Sequence, residues 1–504
     1  MQPAVGARQI LIGTLAVFVA ACSSSIQQRA IPSDANTRNV SIGTKQHHGV
    51  KRNALSYGTV LRHVVVVIME NRTVDNLFQN LQGADTQSWG LDPSGNHVKL
   101  KAVDLDTAWD PVHSHLPQGT AGGGFAVEVD NFKNDGWVNE TFNNCNSPPC
   151  AGETALAYVK QAEVQNYYDL ANNFTFSSEV YQTNEGPSYD AHQYLIAGQA
   201  NGYSAYPHLD AAENPQGVAQ CPSKSEDVAT VDLTAPWPGV EKPANQIAPC
   251  QEYSTIFDLV DTAAGGGYPN INWKSYVPAT NVVFWNGPMS VKHLYNLYVQ
   301  EGGDSGTGNF IVDPGLSKFT ADVSSGNLPP LSYVIPCPMW ADHAGITGAL
   351  YGPSFVSYIA NTIGLNKQYW TTEPTAIIVT WDDWGGWFDH NTPYQNPNPL
   401  GNTADPNNYG YRTPMIVISP YSRAGVVDSK QKTQSAILTF IESAFNLGTL
   451  GNTDLIQYSG DNLIDGTAFN FNQSALKYTK EPLQPNAPNF GSSKLQCTNA
   501  NFAG

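Results

Sequence analysis

The chain has 504 residues and a formal net charge of −18, from 25 Lys and Arg against 43 Asp and Glu. That acidic excess argues against a nucleic-acid binder or a protein held to anionic membranes by charge, since both need clustered Lys and Arg. Charged residues are 13%, about half the ~25% usual in soluble domains, whereas 41% are hydrophobic and 11% aromatic, which excludes intrinsic disorder as the main state. The 44 Gly and 34 Pro point to long loops.

In chain order, Arg8 precedes an apolar run at 10–21, too short for a membrane-spanning helix and suited to a signal peptide. The run ends in Val19-Ala20-Ala21-Cys22, which resembles a bacterial lipobox. On that reading residues 1–22 are a lipoprotein signal peptide and Cys22 is lipidated, anchoring the protein to the membrane. Ser23 then suggests sorting to the outer membrane of an exported, periplasmic or cell-surface protein. Residues 23–58, rich in Ser, Gln, Asn and Thr, read as a flexible tether. Setting Cys22 aside leaves Cys145, Cys150, Cys221, Cys250, Cys337 and Cys497, an even set that favours disulfides in an exported chain. Cys145 and Cys150 bracket a short turn and Cys221 and Cys250 a Pro/Ser-rich insertion, but six cysteines leave the connectivity open.

Apolar β-branched runs at 63–69, 331–335, 375–380 and 414–419 predict strands buried on both faces. Helical patterns lie between them, including 191–198 and 435–447, the latter expected to close at Gly448. Alternating strands and helices predict an α/β sandwich. Two strands run straight into polar clusters, Glu70-Asn71 and Asp382-Asp383-Trp384-Gly385-Gly386, more than 300 residues apart. Open α/β sheets bind ligands at the carboxyl ends of their strands, so both clusters are expected to meet at one site. That favours a single domain at 59–504 over the three that length alone suggests.

Glu70, Asn71, Asp382 and Asp383 are either strand-end caps and solvated loop carboxylates or oxygen ligands suited to a hard divalent cation, which, like a nearby Arg or Lys, would offset repulsion between the carboxylates. Ser188 opens a helix after Asn184-Glu185-Gly186-Pro187. A serine there is ordinarily an N-cap, and it can also be a nucleophile beside the helix N–H groups. His113, His343 and His390 each lie near an aspartate able to orient an imidazole. Trp381, Trp384 and Trp387 are either core residues or a cage for a choline-like cation.

Together these segments resemble the bacterial phosphoesterase family that includes non-specific phospholipases C and acid phosphatases of the alkaline-phosphatase superfamily. The resemblance rests on Glu70-Asn71-Arg72-Thr73-Val74-Asp75-Asn76, on Thr380-Trp381-Asp382-Asp383-Trp384-Gly385-Gly386-Trp387-Phe388-Asp389-His390, and on Tyr411-Arg412-Thr413-Pro414 through Ser419-Pro420-Tyr421. Gly186-Pro187-Ser188 is similar to the nucleophile region of the acid-phosphatase branch. The resemblance implies an alkaline-phosphatase-like three-layer α/β/α sandwich around a mixed, mostly parallel sheet, with long loop insertions. It implies a divalent metal held by Glu70, Asn71, Ser188, Asp382 and Asp383, with Ser188 as the nucleophile. His113 and His343 would bind phosphate oxygens or serve the leaving group, and His390 joins them as a catalytic candidate. The implied substrate is a small phosphate ester or a phospholipid. Four features depart from the family pattern: Val74 and Asn76 replace Phe and His, Gln434-Ser435-Ala436 stands where His-Thr-Ser is usual, Asp342-His343 is followed by Ala344-Gly345 instead of Pro-Ser, and Asp383 stands where many phospholipases C carry Glu. The altered histidines, with the large Asn/Gly/Pro-rich insertions, motivate a second reading, a surface-anchored binding protein on a degenerate phosphoesterase scaffold.

Overall fold

The computed structural model describes residues 55–497, apart from 115–123, 143–152, 201–220, 222–227, 233–239, 394–408, 451–461 and a few shorter stretches. Numbering only the strands of the main sheet, these are β1 (His63–Met69), β2 (Thr175–Ser177), β3 (Trp273–Val277), β4 (Phe310–Val312), β5 (Leu331–Val334), β6 (Thr375–Trp381), β7 (Met415–Ile418) and β8 (Val426–Asp428). Their order is β4-β3-β5-β1-β6-β7-β2-β8, and β7 alone runs antiparallel to the rest. The mixed, mostly parallel sheet is the one expected. The four strands legible in the sequence are the four at the centre of the sheet; three of the four unread ones are three-residue segments with too little chain to show a period.

Both faces of the sheet are covered. In β1, Val65, Val67 and Met69 join one core, and Val64, Val66 and Ile68 join the other. The first core is completed by α1 (Gln165–Asn173), α5 (Ser317–Ser324) and α6 (Gly352–Gly364). The second is completed by α2 (Ser188–Ala197), α3 (Ile256–Ala263), α4 (Lys292–Gln300) and α7 (Ala436–Ala444). Strands buried on both sides need no polar alternation, which is why they read as unbroken apolar runs. Helix α7 stops short of Gly448. Phe445 N–H closes the last turn on Ile441 O, and Asn446 takes the left-handed conformation at φ 52°, which asparagine tolerates well.

Among the described residues two disulfides are formed, Cys221–Cys250 and Cys337–Cys497; Cys145 and Cys150 lie outside the described residues. Val50–Gly504 forms one compact unit. The expected signal peptide lies outside the described residues, as does the expected tether up to residue 54. Among the described residues no helix is long and apolar enough to cross a membrane.

A buried ion cluster fastens the loops beyond the strand ends to one another. Arg412, fully buried, meets Asp389 at 3.0 Å, Asp75 at 3.4 Å and Glu179 at 2.9 Å. His390 belongs to this cluster: its Nδ1 lies 2.6 Å from Asp75 and its Nε2 3.3 Å from Asp85. Burial pushes the Asp389 carboxyl up to about 7 against the pull of Arg412. Removing one partner from such a cluster leaves unpaired buried charge, costing about 3–5 kcal/mol, whereas a surface pair costs under ~1. We therefore expect Arg412→Met to lower stability by about 3 kcal/mol or more in chemical denaturation. A loss under about 1 kcal/mol would show that the cluster is not what holds these loops.

Candidate active site

The site is assembled by strand register. β1 and β6 are adjacent and parallel, with Met69 directly beside Trp381. Both strands therefore end at one level, and Asp382 N–H still reaches Met69 O at 3.0 Å. Glu70 and Asn71 follow one strand, Asp382 and Asp383 the other, and all four are buried. Asn71 turns sharply at φ 59°, a conformation Asn tolerates, and its N–H donates to Asp382 Oδ1 at 2.9 Å. Gly385 and Gly386 make this close approach possible. Both have positive φ, and a Cβ on Gly385 would lie 2.4 Å from Asn71 O, one on Gly386 2.6 Å from Pro111 Cβ. The glycine pair thus packs beneath Asn71 and the segment carrying His113.

Ser188 is the first residue of α2, with Pro187 rather than the serine at the N-cap. The Ser188 hydroxyl donates to Asp383 Oδ2 at 3.0 Å, and Asn71 Nδ2 lies 3.4 Å from Ser188 Oγ. His192, one helical turn further on, presents Nε2 to Glu70 Oε1 at 3.0 Å. Burial lowers its pKa to about 4, so it is neutral at pH 7 and placed to orient Glu70 rather than to pair with it as a cation. The sequence reading passed over His192, although its position four residues after Ser188 puts both on one helix face.

The acidic side of the site is short of donors. Burial first, then repulsion from neighbouring carboxylates, pushes Glu70 and Asp383 well above the ordinary carboxyl range. With Glu70 ionised, Asn71 Oδ1, 3.0 Å from Glu70 Oε2 and 3.3 Å from Asp382 Oδ1, faces only acceptors. Asp382 Oδ2 is buried without a hydrogen-bond partner among the described residues. Turning the Asn71 amide over would supply a donor, but then His113 Nε2 must donate to it. His113 Nδ1 already faces the Pro111 carbonyl at 2.8 Å, which only accepts, so the turned amide requires a doubly protonated ring. A cation among Glu70, Asn71 Oδ1 and Asp382 resolves the conflict with Asn71 as it stands, its Nδ2 donating to His113 at 2.9 Å. The residues therefore fit a hard divalent ion.

The histidines line the opposite side. His113 and His343 have ring centroids 6.0 Å apart, and Trp285 stacks on His343 at 5.9 Å. His343 is only half-buried, and burial still lowers its pKa. His390 is not brought to this group; its ring contacts are with the Arg412 cluster, because the chain turns away after Phe388 into that ionic network. The three tryptophans form no cage. Trp381, Trp384 and Trp387 are fully buried: Trp381 donates to Asp342, Trp384 to Glu128, and Trp387 lies under the Arg72 guanidinium. Gln434, at the departure from the family pattern, has a local task. Its Nε2 donates to the carbonyls of Trp381 and Asp382, both at 2.7 Å, holding the end of β6.

The chain is 24% identical over 429 residues to Phospholipase C A of Mycobacterium tuberculosis, covering 77% of this chain and 74% of that protein. It is 23% identical to the Non-hemolytic phospholipase C of Burkholderia pseudomallei and 22% to the Hemolytic phospholipase C of Pseudomonas aeruginosa, each over 77% of this chain. It spans only 56% and 54% of those two longer proteins. Among solved structures, a Vibrio parahaemolyticus protein in the alkaline phosphatase superfamily aligns with a TM-score of 0.36 at 10% identity, over 82% of this chain and 71% of its own. The Phosphoesterase family model matches residues 61–448, and the chain belongs to that family and is a phosphoric ester hydrolase.

Proposed function

We propose that the protein is an exported, metal-dependent phosphoric ester hydrolase with Ser188 as its nucleophile. The observation that carries this reading is the donor-poor cluster of Glu70, Asn71 Oδ1 and Asp382 beside a serine hydroxyl held 3.0 Å from Asp383. Glu70, Asn71, Asp382, Asp383 and Ser188 would hold the divalent ion. When bound, it supplies positive charge that offsets the negative charge of substrate and carboxylates. Asp383 Oδ2 orients the Ser188 proton and is placed to take it. Ser188 Oγ then bonds to phosphorus as the ester oxygen departs, leaving a phosphoserine. His113 and His343 bind the phosphate oxygens, and His343, the more exposed, donates a proton to the leaving oxygen. Water then cleaves the phosphoserine, with the same imidazole as base.

The substrate is a small phosphate monoester or a phospholipid. The phospholipase C names of the relatives support the diester, and the burial of all three site tryptophans removes the feature that pointed to choline. Export through the lipobox at Cys22 is supported by two disulfides, which persist in oxidising compartments. A binding protein on a decayed scaffold is disfavoured, because such a scaffold has no reason to keep the serine hydroxyl, three carboxylates and the amide in one cluster.

Two outcomes are expected. Ser188→Ala should lower turnover of the preferred ester by about 10³-fold or more while the metal still raises the melting temperature; turnover within about 10-fold of wild type would remove Ser188 from the nucleophile role. The second concerns pH. Glu70 and Asp383 hold protons in the metal-free fold at pH values where the unfolded chain has lost them. Metal-free stability therefore falls as pH rises through that window, and the metal competes with fewer protons. Saturating Mn²⁺ or Ca²⁺ should raise the melting temperature more at pH 8 than at pH 5, and Glu70→Gln should blunt the difference. An equal rise at both pH values, or none, contradicts a metal at this cluster.

A further inference from the structure

Asp342 lies outside every role described so far, yet it joins the two halves of the site. It is fully buried and left-handed at φ 74°, a conformation that costs a non-glycine residue energy unless its surroundings enforce it. The enforcement comes from both metal-side motifs. The Arg72 guanidinium, one residue after Asn71, grips the Asp342 carbonyl through Nε at 2.9 Å and Nη2 at 2.6 Å. The Trp381 indole, one residue before Asp382, donates to Asp342 Oδ2 at 3.1 Å, and the Tyr167 hydroxyl donates to the same oxygen at 2.7 Å. The preceding residue is fixed as well, because Glu70 N–H donates to Ala341 O at 2.8 Å. Gly352 leaves room for the carboxylate, since a Cβ there would lie 1.9 Å from Asp342 Oδ1. The next residue in the chain is His343. The same Arg72 also donates to Leu105 O at 2.8 Å, at the base of the segment that carries His113, and Gly345 N–H meets Thr107 O at 2.8 Å.

We infer that Asp342 is a positioning residue, a strained buried hinge that transfers the placement of the metal-side strand ends to the His343 imidazole. The inference rests on His343 serving the leaving group, as proposed above. A side chain that only stabilises the fold would lower turnover of all esters alike. A residue that aims the proton donor affects esters whose alcohol must be protonated to leave, and spares those whose leaving group departs as an anion.

The test uses alkyl and p-nitrophenyl esters of whichever class the wild-type enzyme turns over. His343→Ala should cost the alkyl ester about 10²–10⁴-fold and the p-nitrophenyl ester under about 10-fold. Asp342→Ala should reproduce that split, and in the His343→Ala background it should add no more than about 3-fold, since the two act as one unit. Tyr167→Phe keeps the ring in the core and deletes one bond to Asp342, so it should show the same split at smaller size even if Asp342→Ala folds poorly. Equal losses on both esters in the Asp342→Ala and Tyr167→Phe variants, or additive losses in the double variant, overturn the proposal. An absence of any split in His343→Ala overturns it too, by removing the role it serves. Ser188→Ala, run alongside, reports on the nucleophile separately: loss of both esters there supports the underlying reading whatever Asp342 does.

Discussion

The in-register pairing of β1 with β6 is the constraint on which the site depends. It brings Met69 beside Trp381 and so places two pairs of polar side chains, 311 residues apart in the chain at Asn71 and Asp382, within hydrogen-bonding distance. The cost is concentrated in one place. Three carboxylates and an amide oxygen are withdrawn from water with few donors among them, and burial, with repulsion from the neighbouring carboxylates, raises Glu70 and Asp383 well above the usual range. Such a cluster is stable as a set of protonated acids or as a cation site. Only the second gives a phosphate ester, itself anionic, a reason to enter a protein with net charge −18.

Everything around the strand ends keeps that arrangement from relaxing. Gln434 clamps the last carbonyls of β6, His192 orients Glu70, and the glycine pair lets the Asn71 and His113 segments approach. Arg72 and Arg412 divide the remaining work. Arg72 ties the Asn71 turn to the loops that carry His113 and His343, and Arg412 ties Asp75 to Asp389 on the far side of the first motif. Both guanidiniums are fully buried, so each satisfies its donors within the protein and specifies which loops lie together.

Much of this was legible in the sequence, and the reason is physical. Long inner strands advertise themselves because burial on both faces removes polar residues, and ligand residues placed right after them, such as Glu70 and Asp382, inherit that visibility. Short outer strands carried no such signal. Residues whose role comes from tertiary contacts were harder. His192 looked like one more polar residue on a buried helix, and Asp342 like part of a histidine motif. His390 was read toward the site because Asp389 precedes it, whereas its aspartate partner in space is Asp75 from the first motif. The tryptophans beside Asp382 were ambiguous for the same reason: an aromatic next to a site residue in sequence can point into the core, and all three do.

The central claim is that the strand-end cluster is a cation site. Anomalous diffraction from crystals of the protein loaded with Mn²⁺ tests it directly. One anomalous peak is expected among Asn71 Oδ1, Glu70 and Asp382, close to Ser188 and Asp383, and it should be lost in Glu70→Gln. A protein that turns over its ester with no peak there, and with the Asn71 amide turned to donate to both carboxylates, would contradict it.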